Sequence, residues 1–239
     1  MRKKLSFSII GASAIGMPTL AILVRQFKKL KRIFIIDHDT WQEKESYKHI
    51  LSQRSDANNS KVTTAKEAIR QFSPKIKVTA LCSKVQDKEA QSAMTKSDII
   101  ISCVDNDTTR LDLQVFASQH KKTLLDLSTQ IIGKQRMGTA RIFIPKKTPC
   151  IVCQGLNLSN VMSDSLEEAK RKTGYLKGTN FNPRSISLLD TQTACMGITL
   201  LCNHLESKEH EPTTLSLDQG NHKTTKIHFD SKPECNLCS

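Results

Sequence analysis

The chain has 239 residues, of which 38% are hydrophobic and 5% aromatic, enough for one large domain with a real core or one domain with a small appendage. Gly (9) and Pro (7) are too few for a fibrous or disordered protein, and no fixed repeat marks a solenoid. The formal charge of +13 is spread along the chain, with clusters at Lys28–Arg32 and Lys170–Lys172.

No zinc-finger spacing, RNA-binding aromatic signature or long basic tail accompanies this charge, so solvated helix faces are expected and no nucleic-acid partner. The sharper alternative is attraction to an anion such as a nucleotide phosphate or an acidic protein.

Leu5–Ile10 is a short apolar run and reads as the first strand. Met1-Arg2-Lys3-Lys4, the uncharged stretch to Val24 and Ala12-Ser13-Ala14 together imitate a secretory signal or a spanning helix. Gly11 and Gly16 instead bracket a turn, and Pro18 sits where a helix begins, a place that tolerates proline as a helix interior does not. Leu20, Leu23, Val24, Phe27 and Leu30 then recur at helical spacing past charged residues, giving a helix over Pro18–Leu30 and no membrane partner.

Arg32–Asp37 is a second strand, continuous and apolar as expected when both faces are covered. Helix Lys61–Phe72, strand Ile76–Leu81, helix Lys88–Thr95, strand Asp98–Val104, helix Thr108–His120 and strand Thr123–Leu127 follow, with a further strand at Thr139–Ile144. The polar stretch Gln154–Arg184 reads as a long excursion with a helix near Ser165–Lys172. A long helix at Ile186–Leu205 and a hairpin of Thr213–Leu217 and Thr225–Phe229 close the chain. This alternation predicts an α/β, Rossmann-like, mostly parallel sheet flanked by helices, with a C-terminal hairpin. One nucleotide-binding domain is expected over residues 1–239, with a Rossmann-like core at 1–145 and a zinc-tethered part at 146–239.

Of 8 Cys, four form two CxxC units, Cys150/Cys153 and Cys235/Cys238. Two residues between thiolates let both sulfurs of a unit reach one ion, and two units complete a tetrahedron, so a structural Zn²⁺ site with no open position is expected. A disulfide or redox role is the plainer alternative; zinc implies a reducing, cytoplasmic setting. Cys82, Cys103, Cys195 and Cys202 lie in apolar stretches and read as buried small residues.

Gly11-Ala-Ser-Ala-Ile-Gly16 follows a strand and opens a helix, the place where a glycine-rich turn brings phosphate to backbone N–H groups. Ser13 replaces the middle glycine of G-x-G-x-x-G. Asp37 ends the second strand, where a carboxylate reaches ribose hydroxyls. These features fit a dinucleotide oxidoreductase as well as an ATP enzyme. Lys61 opens its helix where an ammonium could meet phosphate, or is a solvated helix lysine. Asp105-Asn106 follows the fourth strand at the carboxyl edge of the sheet, suiting Mg²⁺ on a triphosphate or simply capping a helix.

The order GASAIG, IIDHDT, Ser60-Lys61-Val62-Thr63-Thr64-Ala65, FSPKIKV, CVDNDTTR, TPCIVC and a CxxC tail resembles the ThiF/MoeB/ubiquitin-activating superfamily over nearly the whole chain. Pro183–Ala194 is also similar to the segment that opens a late helix in small bacterial ThiF-like proteins. The resemblance implies ATP-dependent adenylation of the C-terminal carboxylate of a small ubiquitin-like or sulfur-carrier protein, in a homodimer. It assigns Asp37 to the ribose, Lys61 to the phosphates and Asp105 to Mg²⁺, with Gly11, Ser13 and Gly16 forming the phosphate turn.

The family's Asn-x-x-Arg-Gln stretch falls on Glu45, Lys48 and His49. Lys48 keeps a phosphate-binding charge without the bidentate fork, and Glu45 adds an anion. The family's N-terminal helix has no room before Leu5, and Arg2 substitutes poorly for its arginine. The excursion carries no cysteine and Cys195 is the nearest candidate, so adenylation without a thioester is expected. A degenerate member acting as a binding scaffold is the second reading, and a nicotinamide- or flavin-dependent enzyme the third.

Overall fold

The structure is a computed structural model that describes residues 4–27, 29–43, 49–132, 135–156, 187–206, 213–232 and 234–238. Strand β1 (Leu5–Ile10) leads through the glycine turn into α1 (Gly16–Gln26), then β2 (Leu30–Ile36), α2 (Lys61–Phe72), β3 (Val78–Leu81), α3 (Lys88–Thr95), β4 (Ile99–Ser102) and α4 (Asp107–Gln119). Strands β5 (Thr123–Ile132) and β6 (Gln135–Phe143), helix α5 (Ser187–Glu206) and strands β7 (Thr214–Asp218) and β8 (Lys223–Ile227) follow among the described residues.

Among the described residues, eight strands form one sheet in the order β3-β2-β1-β4-β5-β6-β7-β8. The first five run parallel and the last three add antiparallel. Side chains alternate between the two faces because a strand has period two. Ile9, Ile33, Ile35, Ile101 and Leu125 meet α1, α2 and α5 on one face. Ile10, Phe34, Ile36, Ile100 and Leu124 meet α3 and α4 on the other. This two-sided burial explains the continuous apolar runs of β2 and β4.

Three departures from the sequence expectations have local causes. Leu30 pairs with Leu5 at the start of β2, which ends α1 at Gln26 instead of Leu30. Strands β5 and β6 pair onward to Ile132↔Gln135, beyond the parallel sheet, where Ser128, Thr129 and Gln130 gave no apolar signal. Cys82 and Cys195 are exposed and only Cys103 of the four unpaired cysteines is buried, so burial holds for one of them alone. The expected Ser165–Lys172 helix and most of the Gln154–Arg184 excursion lie outside the described residues.

Beyond β1 the chain crosses to β2 on one side, and β4 lies on the other side of β1. The sheet therefore has its switch point between β1 and β4, where a crevice opens at the carboxyl ends of the strands.

Candidate nucleotide site and cysteine cluster

Gly11 leaves β1 with φ +91°, a left-handed backbone that favours glycine. A Cβ there would lie 2.7 Å from the Cys103 carbonyl oxygen, and one on Gly16 would lie 1.9 Å from the Gly11 carbonyl oxygen. Only glycine permits the turn to close this tightly over the end of β4. Ser13 takes no left-handed backbone, and its carbonyl accepts the Met17 N–H at 2.9 Å inside the first turn of α1. A side chain is tolerated at position 13 for that reason. No acidic residue occupies the first turn of α1, so its positive end is not neutralised from within.

The Asp37 carboxylate is tied to this turn. Its Oδ2 accepts the Ala12 N–H at 2.7 Å and its Oδ1 the Asp39 N–H at 2.9 Å. Lys61 is nearly buried and begins α2. Its ammonium lies 2.8 Å from Asp39 Oδ2 and 5.5 Å from the Trp41 ring. Burial raises the Asp39 pKa, but the Lys61 hydrogen bond and charge outweigh it and hold the carboxyl below its ordinary value.

Ser60 Oγ and Thr64 Oγ1, near Lys61 in the chain, and Trp41 Nε1, whose ring lies beside the Lys61 ammonium, are buried without hydrogen-bond partners. Ser60 is the N-cap of α2 yet makes no side-chain cap. A lysine ammonium at the start of a helix, with buried polar atoms on neighbouring residues left unpaired, has the donor chemistry that an anion's oxygens or ordered water satisfies.

Asp105 is exposed at the rim beyond β4. The capping alternative falls to its neighbour: Asn106 Oδ1 accepts the Thr109 N–H at 2.8 Å and caps α4, while its Nδ2 donates to Asp105 Oδ1 at 3.5 Å. The structure thus brings Gly11, Ser13, Gly16, Asp37 and Lys61 onto one loop system and sets Asp105 across the switch point from it. Lys48, Glu45 and Arg2 lie outside the described residues. His49 packs its ring 5.3 Å from that of Trp41.

Sequence reasoning missed the ionic support behind this rim. Asp126, inside the apolar run of β5, is fully buried between Arg110 of α4 and Arg141 of β6. A charge within a buried strand was the available signal. Asp39 was missed as well; its spacing from Asp37 alone does not reveal that it pairs with Lys61.

The chain matches the ThiF family over residues 2–237. The chain belongs to the ThiF family. As a member it is 24% identical over 151 residues to adenylyltransferase and sulfurtransferase MOCS3 of Culex quinquefasciatus, covering 63% of this chain and 33% of that protein. It is 24% identical over 129 residues to the sulfur carrier protein ThiS adenylyltransferase of Escherichia coli, covering 54% of this chain and 51% of that one. The chain thus spans about a third to a half of the length of these curated relatives. E. coli MccB solved with ATP has the same fold, with a TM-score of 0.74 at 15% identity, covering 99% of this chain and 67% of that chain. MccB in complex with N-formylated MccA gives 0.74 at 14%, covering 98% and 67%.

The second centre lies on the α3–α4 face of the sheet. Cys150, Cys153, Cys235 and Cys238 place their sulfurs within 4.8 Å of one another. Two of the separations are 3.5 Å, Cys150 to Cys235, and 3.7 Å, Cys153 to Cys238. A tetrahedral Zn–thiolate site with bonds of about 2.3 Å has sulfurs about 3.8 Å apart, so the donor set fits zinc and is far too open for disulfides.

Backbone groups orient the sulfurs: Cys150 N–H donates to Cys238 Sγ at 3.2 Å and Lys232 N–H to Cys153 Sγ at 3.4 Å. Burial pushes the Cys150 and Cys153 thiols up. Burial also acts on Cys235, but the Leu237 N–H and the neighbouring thiols bring it down to about 7. The C-terminal unit is fixed to α4 where the Ser118 hydroxyl donates to the Leu237 carbonyl at 2.7 Å. Gln154, buried after the first unit, donates to the Ile142 and Pro149 carbonyls at 2.8 and 2.6 Å and ties that turn to β6.

Proposed function

We propose that this chain is an ATP-dependent adenylyltransferase that activates the C-terminal carboxylate of a small protein or peptide. One observation carries the reading: at the switch point, the Asp37 carboxylate is hydrogen-bonded to the glycine turn at Ala12 while a nearly buried Lys61 opens the neighbouring helix. The curated relatives named for adenylyl transfer and the MccB fold support it.

In this reading the glycine turn of Gly11, Ser13 and Gly16 and the α1 terminus face the phosphates. Asp37 takes the ribose hydroxyls, Lys61 and Lys48 the phosphate charge, and Asp105 a Mg²⁺ bound to the triphosphate. A carboxylate oxygen of the partner attacks the α-phosphorus; the bond to the bridging oxygen breaks, pyrophosphate leaves and an acyl-adenylate remains. The chain contributes positioning and charge stabilisation without a covalent nucleophile. Cys195, the nearest thioester candidate, is exposed on α5, and no thioester step is assigned to it.

The finer partner is a ubiquitin-like or sulfur-carrier protein, with a homodimer as the working form. Zinc at the cysteine cluster is structural, and a four-thiolate site suits a reducing, cytoplasmic setting. Among the described residues, no helix is long and apolar enough to cross a membrane.

Exchange of labelled pyrophosphate into ATP tests the reading. Exchange that requires Mg²⁺ and a small protein ending in Gly-Gly, and that Asp105→Ala abolishes, is expected. ATP binding without exchange for any such partner would instead favour a scaffold, a reading that the Lys61–Asp39 pair already favours by placing a carboxylate on the phosphate lysine.

A further inference from the structure

Asp126 sits in the middle of the sheet, paired to Ser102 of β4 and Arg141 of β6, and is fully buried. Its Oδ1 accepts the Ser102 hydroxyl at 2.9 Å, and Arg141 Nη1 meets its Oδ2 at 3.1 Å. Arg110 Nε lies 3.4 Å from Oδ1, close enough for charge attraction though not aligned as a hydrogen bond. A buried carboxylate needs such partners, and strand pairing on both sides leaves it little freedom to move.

The rest of the Arg110 guanidinium reaches the rim. Nη2 donates to the Val104 carbonyl, and Nη1 donates to Asp107 Oδ1 at 3.3 Å. Val104 and Asp107 bracket Asp105 and Asn106. One rigid planar group therefore ties both ends of the rim turn to a fixed carboxylate in the sheet. Lysine could keep the attraction to Asp126 but has no fork to hold the Val104 carbonyl and Asp107 together. The α4 cap is made by Asn106 and does not depend on this group.

We infer that Arg110 is a positioning residue for metal-bound ATP, setting the Val104–Asp107 turn so that the Asp105 carboxylate stands where a phosphate-bound Mg²⁺ meets it. The inference rests on the reading of Asp105 given above. Arg141 supplies the internal comparison. It shares Asp126, but its Nε faces the Gln154 carbonyl at 3.4 Å, next to the first CxxC unit, and not the Val104–Asp107 turn.

The full chain has one tryptophan, and Trp41 lies beside Lys61, so its fluorescence reports ATP binding with and without Mg²⁺. Arg110→Lys is expected to leave Mg²⁺-free ATP affinity within about twofold while cutting the Mg²⁺-dependent gain about tenfold, and to add nothing to Asp105→Asn in a double-mutant cycle. Arg141→Lys is expected to keep the gain. Should Arg110→Lys fail to fold, Asp107→Ala removes the outer acceptor and is expected to lower the gain in the same direction.

Equal losses in Arg110→Lys and Arg141→Lys, additivity with Asp105→Asn, or no loss in Asp107→Ala would each overturn the positioning role. A gain absent from the wild type, or kept by Asp105→Asn, would defeat the metal role of Asp105 and take the positioning role with it.

Discussion

The Lys61 ammonium and the Asp39 carboxylate form an ion pair 2.8 Å long, with the lysine nearly buried and the aspartate half exposed. A carboxylate thus holds the ammonium at the spot assigned to phosphate, and the incoming nucleotide must share or displace it. Lys61→Ala removes a charge-assisted contact of ~1.5–3 kcal/mol. ATP affinity, read by calorimetry, is expected to fall about tenfold or more. Unchanged affinity would show that the phosphates lie elsewhere.

The same pair predicts a pH dependence. The Asp39 pKa is held below its ordinary 3.8, so in the sign of linkage its stabilisation is present above that value and is lost as pH falls through the lowered native pKa. The wild type is therefore expected to lose stability below about pH 4 more steeply than Asp39→Asn, a difference measured by the unfolding midpoint as the pH is lowered. Parallel curves would mean the pair contributes nothing, as half-exposed pairs sometimes do.

Gly16→Ala places a methyl group 1.9 Å from the Gly11 carbonyl oxygen, which no side-chain motion relieves. The turn must open, and ATP binding is expected to be lost while the far-ultraviolet circular dichroism stays near that of the wild type. Ser13→Ala meets no such obstacle, since position 13 needs no left-handed backbone, and is expected to bind ATP within about threefold of the wild type.

Much of the fold was legible because its signals are local. The bounds Leu5–Ile10, Lys61–Phe72 and Lys88–Thr95 read from apolar spacing are the observed ones. The extension of β5 and β6 was not, since Thr129 and Gln130 are held by pairing with Gly138 and Met137 and not by apolar character. At the site, the glycines and Asp37 follow from their place after a strand. Asp126 shows only as a charge inside an apolar run, and Asp39, Arg110 and Arg141 do not follow at all, because an ion pair between residues far apart in the chain leaves no periodic trace. Cys82 and Cys195 were misread for a related reason: apolar neighbours on an element say little about which face a single residue takes.

Ser in place of Cys235 and Cys238 removes half of a donor set with sulfurs 3.5 and 3.7 Å apart. The purified chain is expected to lose its one equivalent of zinc by elemental analysis and to melt about 4–8 °C lower, corresponding to a loss of ~2 kcal/mol. Full zinc content in that variant would disprove the pairing of the two CxxC units.

The most direct measurement is the structure of the chain crystallised with Mg²⁺ and a non-hydrolysable ATP analogue. The account predicts the ribose on Asp37, the phosphates between the Gly11–Gly16 turn and Lys61 with Asp39 displaced or bound through the metal, and Mg²⁺ within reach of Asp105. A nucleotide bound elsewhere, or a rim still closed by the Lys61–Asp39 pair at saturating analogue, would contradict it.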